Sequence, residues 1–136
     1  MRLVFGRDKE VAAWAAQSLG MAIHPPYVAL GVVDKDENPI GASVFNDWNG
    51  SNLEITIVGH GAMKRGIIRA VFHYVFMQVG ANRLTAKTKR SNKLMRCMLP
   101  KFGFEFEATL KAYYGIERSN DALVFRLMPN AALKWM

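Results

Sequence analysis

Hydrophobic residues between positions 65 and 80 recur at the spacing of an amphipathic helix. They lie one, three and four residues apart, which places them on one helical face: Ile67, Ile68, Val71, Phe72, Val75, Phe76 and Val79. Gly80 follows the last of them, and glycine tolerates the left-handed conformation that closes many helices. The spacing therefore predicts a central helix from about Arg65 to Gly80.

Before this helix, the pattern predicts a first helix and a meander of strands. Asp8 is a suitable N-cap for an alanine-rich helix that ends near Gly20. The strand segments are rich in β-branched residues or alternate between apolar and polar residues, and polar turns separate the later ones. They are expected at Leu3–Phe5, Tyr27–Val33, Ile40–Phe45 and Leu53–Val58.

After the central helix, the pattern predicts strand, helix, strand, strand. Ser91 or Asn92 is the expected cap of the short helix, which Pro100 must bend or end. The strands are expected at Arg83–Thr88, Phe104–Tyr113 and Ala122–Met128. Residues 1–136 contain no linker or repeat, so the chain is predicted to form a single α/β (α+β) domain.

Composition narrows the class of protein. Apolar residues make up 51% of the chain and charged residues 21%, as in folded globular domains. Cys97 is the only cysteine, which excludes an internal disulfide and a cysteine-cluster zinc site, and its apolar context predicts a core position. No apolar run approaches the ~20 residues of a membrane span, and no signal peptide is evident. We therefore expect a cytoplasmic protein without membrane contact.

Charge is concentrated in one region. Ile55 to Phe104 contains no acidic residue, although the whole chain has 18 basic and 11 acidic residues and a net charge of +7. This window holds ten of the basic residues: Lys64, Arg65, Arg69, Arg83, Lys87, Lys89, Arg90, Lys93, Arg96 and Lys101. A regional positive field favours a polyanionic partner, which is either a phosphorylated cofactor or a nucleic acid.

The order of elements, with several separated motifs, resembles the GNAT superfamily of acyl-CoA-dependent N-acyltransferases. The chain is similar to its ribosomal-protein N-terminal acetyltransferase-like branch and to small acetyltransferase-like proteins of bacteriophages. The resemblance lies in Tyr74-Val75-Phe76, Gly80, Asn82-Arg83-Leu84-Thr85-Ala86, Ser91-Asn92 and Leu99-Pro100-Lys101-Phe102-Gly103-Phe104. It implies a mixed, mostly antiparallel sheet of about six to seven strands flanked by about three helices. For a phage-encoded protein, the cytoplasm would be that of the host.

The resemblance implies acetyl-CoA (CoA) as cofactor, bound between the Leu53–Val58 strand and the Arg83–Thr88 strand, which would splay apart. Backbone groups of Ile57 and Val58 would pair with the pantetheine arm, and Asn92 would hydrogen-bond it. The pyrophosphate would lie at the start of the central helix, where free N–H groups and the helix dipole favour anions. The predicted cofactor-binding residues are Ile57, Val58, Lys64, Arg65, Gly66, Ile67, Asn92 and Arg96.

The chain departs from the family at two positions. The segment Gly59–Gly66 keeps glycines but not the usual register of the phosphate turn, so these glycines either hold phosphate or only shape a loop. The tyrosine that many members place seven residues after the asparagine, as general acid, is Leu99 here. Tyr113 or Tyr114 could replace it, although strand packing or exposure is the favoured interpretation.

Glu54 is the predicted catalytic base, because acyl transfer to an amine requires removal of a proton and Glu54 points away from the apolar face of its strand. The alternative is a surface carboxylate that pairs with a nearby lysine. Asn92 is either a cofactor ligand or a plain N-cap. The basic side chains either contact adenosine phosphates or form a solvated face.

Three functions follow from these residues. The first is an N-acetyltransferase acting by direct attack of an amine-bearing acceptor, either a protein or a small molecule, on bound acetyl-CoA. The second is a GNAT-fold module without catalysis, with a binding or assembly role such as a phage virion or host-interaction component. The third, ranked last because no recognition motif accompanies the charge, is nucleic-acid binding. A homodimer is left open.

Overall fold

The computed structural model describes all 136 residues and contains one seven-stranded sheet with the order β1-β2-β3-β4-β5-β7-β6. Only β4 and β5 run parallel, and every other neighbouring pair is antiparallel. The strands are β1 Arg2–Val4, β2 Val28–Val33, β3 Pro39–Asn46, β4 Asn52–Val58, β5 Arg83–Lys89, β6 Glu105–Leu110 and β7 Ala122–Leu127. The predicted mixed, mostly antiparallel sheet is confirmed.

Four α-helices flank the sheet: α1 Asp8–Leu19, α2 Arg65–His73, α3 Lys93–Lys101 and the short α4 Pro129–Ala132. The predicted central helix is confirmed, but it widens after α2 into a π-helical segment, Tyr74–Val79. The Ala81 N–H closes this segment by donating to the Val75 carbonyl at 3.0 Å. Gly80 then adopts the predicted left-handed conformation, with φ of 80°.

Different helices pack on the two faces of the sheet. Leu53, Ile55 and Ile57 of β4 belong to the larger core cluster, together with buried residues of α2 and α3. Val58 belongs to a smaller cluster with Ala12 and Ala15 of α1. Because side chains alternate along a strand, Glu54 and Thr56 share the α1 face with Val58. None of the helices has the length and apolar character needed to cross a bilayer.

Three local predictions were wrong. Asp8 does not cap α1, because its carboxylate accepts the Ala29 N–H of β2 at 3.3 Å and Arg7 is the N-cap residue. Cys97 is exposed, because α3 turns Met95 and Leu99 towards the core instead.

The predicted Phe104–Tyr113 strand is shorter than expected, since β6 ends at Leu110. Two residues further on, Ala112 has a left-handed φ of 56°. The Ala112 N–H donates to the Asp121 carboxylate at 2.9 Å. This side-chain acceptor stabilises a turn where the sequence pattern alone favours a continuing strand.

Candidate cofactor groove and active site

β4 and β5 separate halfway along their length. Their parallel pairing runs from Asn52 opposite Arg83 to Ile55 opposite Ala86 and then stops. β4 nevertheless continues to Val58 and β5 to Lys89. The predicted splay of the two strands is therefore confirmed, and it leaves the β5-facing edge of residues 56–58 without a strand partner.

A groove passes through this opening as three adjoining cavities. The central cavity, of about 230 Å³, lies between the separated strands. At one end, the turn cavity of about 430 Å³ reaches the residues that follow β4. At the other end, the loop cavity of about 710 Å³ reaches the segment after α1 and the β6–β7 loop. All three share Leu19 at the end of α1, which forms a common wall.

The turn cavity is lined by Gly59, His60 and Met63, which belong to the 3-10 turn after β4 or lie directly before it. The glycines of this turn pack closely on β3. A Cβ on Gly61 would lie 2.6 Å from the Ile40 side chain, and one on Gly59 would lie 2.6 Å from the Ile40 carbonyl oxygen. Close packing of the loop therefore accounts for these glycines without a phosphate ligand.

The start of α2 carries free backbone donors but does not line the groove. The first helical hydrogen bond joins the Ile68 N–H to the Lys64 carbonyl at 2.9 Å, and no side chain caps the helix. The N–H groups of Arg65, Gly66 and Ile67 therefore have no acceptor within the helix. Arg65 itself packs over the Trp135 ring, with its guanidinium carbon 5.1 Å from the centroid. The predicted phosphate site at residues 64–67 stays a prediction.

Asn92 lines both the central and the turn cavity. Its side-chain oxygen also accepts the Met95 N–H at 3.1 Å, so it is the N-cap of α3 as predicted. Ile57 lines the same two cavities, and Val58 lines the turn cavity. Arg96 does not line the groove, because its guanidinium donates to the Arg90 carbonyl at 2.9 Å.

Glu54 and Lys87 form an ion pair in the loop cavity, with Nζ 2.8 Å from Oε1. Their side chains are 21% and 25% exposed, respectively, so the pair is accessible from the groove but partly shielded. Burial lowers the pKa of Lys87, but the hydrogen bond and negative charge of Glu54 outweigh burial, and the net pKa is raised. Lys87 therefore remains charged at neutral pH. The lysine partner considered as the alternative for Glu54 is present, and Glu54 also lies in the groove.

Tyr114 lines both the central and the loop cavity. Burial raises the pKa of its phenol. Lys89 places Nζ 5.8 Å from its ring centroid. The sequence offered Tyr113 or Tyr114 as a replacement for the missing acid but did not place either of them beside β4 and β5, because residues 113 and 114 are distant from these strands along the chain. Thr56 and Asp47 also line the groove and carried no recognisable signal in the sequence.

Comparisons with known proteins identify the fold. No family model matches the chain, and no curated protein matches it in sequence. Solved structures do match. A chimera of the spermidine N-acetyltransferase SpeG from Vibrio cholerae and hSSAT has a TM-score of 0.67 and 17% identity, over 79% of this chain and 70% of that one. A point mutant of SpeG from Vibrio cholerae has a TM-score of 0.67 and 16% identity, over 92% of this chain and 77% of that one.

The spermidine N-acetyltransferase from Vibrio cholerae, solved in complex with CoA and spermine, matches with a TM-score of 0.66 and 18% identity, over 79% of this chain and 68% of that one. These enzymes have the GNAT fold. This chain therefore has a GNAT fold, in agreement with the resemblance in its sequence. At identities this low, the similarity shows the fold alone and does not distinguish a branch within the superfamily.

Proposed function

We propose that this protein is an N-acetyltransferase that transfers an acetyl group from acetyl-CoA to an amine by direct attack in a ternary complex. The observation that carries the proposal is the separation of β4 and β5, which opens a groove through the sheet where pairing ends. Bound acetyl-CoA would supply an activated thioester. The remaining requirements are to hold the donor, orient the amine and accept its proton, and these fall to the side chains of the groove.

The shape and chemistry of the groove fit this donor. A narrow central cavity with the free backbone edge of Ile57 and Val58 suits an extended, amide-containing pantetheine arm. Asn92 lies beside it. Lys89 lines the same cavity and offers positive charge to the phosphates. In this arrangement Glu54 accepts the proton of the attacking amine, directly or through water, while Lys87 holds its carboxylate in place.

The acceptor end favours a single amine over a polyamine. Asp47 and Glu54 are the only carboxylates that line the loop cavity, and Glu54 is already paired with Lys87. A polycation would find one unpaired carboxylate there, while the net charge of the chain is +7. The acceptor we propose therefore presents one reactive amino group, as on a peptide N-terminus, a lysine side chain or a small monoamine.

Thermal unfolding with saturating acetyl-CoA, CoA, adenosine 3′,5′-bisphosphate and ATP tests the cofactor. A ligand at 100 times its dissociation constant adds about 2.7 kcal/mol of stability. We expect clear stabilisation by both CoA species and much less by the two nucleotides, which lack the pantetheine arm. An equal effect of all four ligands would contradict a site between the strands, and no effect of any would contradict the proposed function.

A groove-filling variant locates the binding site. Thr56 is half-buried on β4 and lines the central cavity, so Thr56→Phe is expected to abolish stabilisation by CoA. Thr109 is half-buried on β6 and lines no part of the groove, which makes Thr109→Phe the matched control. Release of free thiol from acetyl-CoA with spermine, a lysine peptide or a peptide with a free N-terminus then tests turnover. Preference for spermine would overturn the single-amine proposal.

A further inference from the structure

We propose that Tyr114, on the β6–β7 loop, donates the proton to the departing CoA sulfur, in place of the tyrosine that position 99 lacks. The inference rests on the proposed acetyl transfer. Leu99 is 1% exposed and lines the central cavity without offering any donor. Tyr114 lines that same cavity and brings a phenol to it from a different element of the fold.

The loop that carries Tyr114 is held to the sheet by several contacts. The Tyr114 N–H donates to the Asn120 carbonyl at 2.9 Å. The Arg90 N–H, at the end of β5, donates to the Asp121 carbonyl at 2.9 Å, and the two side chains approach to 3.5 Å. Tyr114 is therefore fixed relative to β5, one of the two strands that form the groove.

The hydroxyl of Tyr114 is available to a ligand. It takes part in none of the side-chain hydrogen bonds within the protein. The hydroxyl is also accessible to solvent. If it were fully buried, it would be a buried polar atom without a partner, and Arg90 Nε is the only such side-chain atom in the protein. Because burial raises the pKa of the Tyr114 phenol, the phenol keeps its proton at neutral and mildly alkaline pH. A protonated, unpaired phenol on the wall of the groove is suited to donate.

In the proposed step one carbon–nitrogen bond forms and one carbon–sulfur bond breaks. The amine nitrogen forms a bond to the thioester carbonyl carbon, and Glu54, directly or through water, receives the proton that nitrogen loses. The carbon–sulfur bond breaks and its electron pair goes to sulfur, which takes the proton of Tyr114. Water returns a proton to the phenolate, and Glu54 releases its proton to water, which restores both side chains. The products are the acetylated amine and CoA with a free thiol.

The first test measures binding of CoA at two pH values and requires no turnover. A cysteine thiol ionises near pH 8.5, and the thiol of CoA, which lacks the neighbouring backbone groups, ionises at higher pH. At about pH 9.5 a substantial share of CoA is therefore the thiolate, while the raised pKa keeps the Tyr114 phenol largely protonated. A hydrogen bond to the thiolate is expected to strengthen CoA binding about tenfold relative to pH 7. Desulfo-CoA has no thiol and is expected to lack this gain. Tyr114→Phe is expected to remove the gain for CoA while leaving binding at pH 7 unchanged.

The second test measures turnover. Tyr114→Phe is expected to lower kcat about 100-fold, with little change in KM for acetyl-CoA. Tyr74→Phe is the matched control, because burial also raises the pKa of Tyr74 and Tyr74 lies outside the groove. The inference is overturned if Tyr114→Phe leaves CoA binding and kcat unchanged. It is also overturned if Tyr113→Phe shows the expected losses and Tyr114→Phe does not. Absence of CoA binding by the unsubstituted chain would overturn the proposed function as well.

Discussion

At the scale of single residues, the pair of Glu54 and Lys87 is the only ion pair that lines the groove. Lys87 has a raised pKa, so its stabilising contact is complete below the unfolded pKa of about 10.4 and is lost as pH rises through the folded value. The pair therefore persists at physiological pH. In the proposed reaction Glu54 accepts the proton of the amine, and its contact with Lys87 keeps its carboxylate oriented.

Replacement of Glu54 separates catalysis from ion pairing. Glu54→Gln is expected to lower kcat about 100-fold at pH 7 and to leave stabilisation by CoA intact, because the amide cannot accept the amine proton. Glu107→Gln is the matched control, since Glu107 pairs with Arg83 at 3.0 Å on the same sheet but outside the groove. If Glu54→Gln keeps its kcat and loses only stability, Glu54 is a lysine partner and not a base.

Residue positions were predictable where a local rule decides them. Asn92 was placed as a helix cap because asparagine, position and the following apolar pattern agree. The positions of Cys97 and Asp8 were predicted wrongly because they depend on tertiary contacts. The side of α3 that packs on the core does not include Cys97. The Asp8 carboxylate accepts the Ala29 N–H of β2 instead of capping α1. The two sides of the Glu54–Lys87 pair belong to different strands, so the sequence left a base and a lysine partner equally open.

At the scale of elements, the contact between the 3-10 turn and β3 shapes the turn cavity. A Cβ on Gly41 of β3 would lie 2.3 Å from the Ala62 nitrogen and 2.9 Å from the Gly61 carbonyl carbon. Both are backbone atoms, which cannot move aside as the end of a flexible side chain can. The loop that follows β4 is therefore held in place by glycines on both sides of the contact.

Two alanine variants test this contact. Gly41→Ala is expected to lower the free energy of unfolding by about 1–3 kcal/mol or more, because the loop must lift from β3. Gly66→Ala is the matched control: nothing lies within 4 Å of its Cβ position, and the residue is in α2. Its substitution is expected to raise stability by about 0.4–1 kcal/mol. Denaturant unfolding without ligand measures both, and equal effects would contradict the packing argument.

The order and type of the elements were predictable from the sequence because hydrophobic periodicity is a local signal. The bounds of β3, β4 and β5 differ from the predictions by a residue. The π-helical end of the central helix was not predictable, since Tyr74–Val79 keeps an apolar helical spacing. The groove was implied only by the family resemblance. Its wall from α1 and its phenol from the β6–β7 loop come from segments far apart in sequence.

At the scale of the whole molecule, the positive charge of residues 64–101 is only partly neutralised. Three of its ten basic residues, Arg83, Lys87 and Arg90, form ion pairs. The others are found in or directly before α2, at the end of β5 and on α3. Lys89 lines the groove, and α3 begins directly after Asn92, which also lines it. The positive charge within the groove itself is therefore that of Lys87 and Lys89, whereas Arg65 packs over Trp135 and Arg96 binds the Arg90 carbonyl.

Salt dependence distinguishes cofactor binding from general polyanion binding. Between about 0.05 M and 0.5 M NaCl, stabilisation by CoA is expected to shrink but persist, because salt screens phosphate contacts and not the uncharged pantetheine arm. Adenosine 3′,5′-bisphosphate, which has the adenosine and two of the three phosphates of CoA but no pantetheine arm, is expected to lose its effect. A short DNA duplex measured in the same series serves as the comparison. If the duplex binds more tightly than CoA and its affinity falls linearly on a log–log scale with salt, the basic surface serves nucleic acid instead.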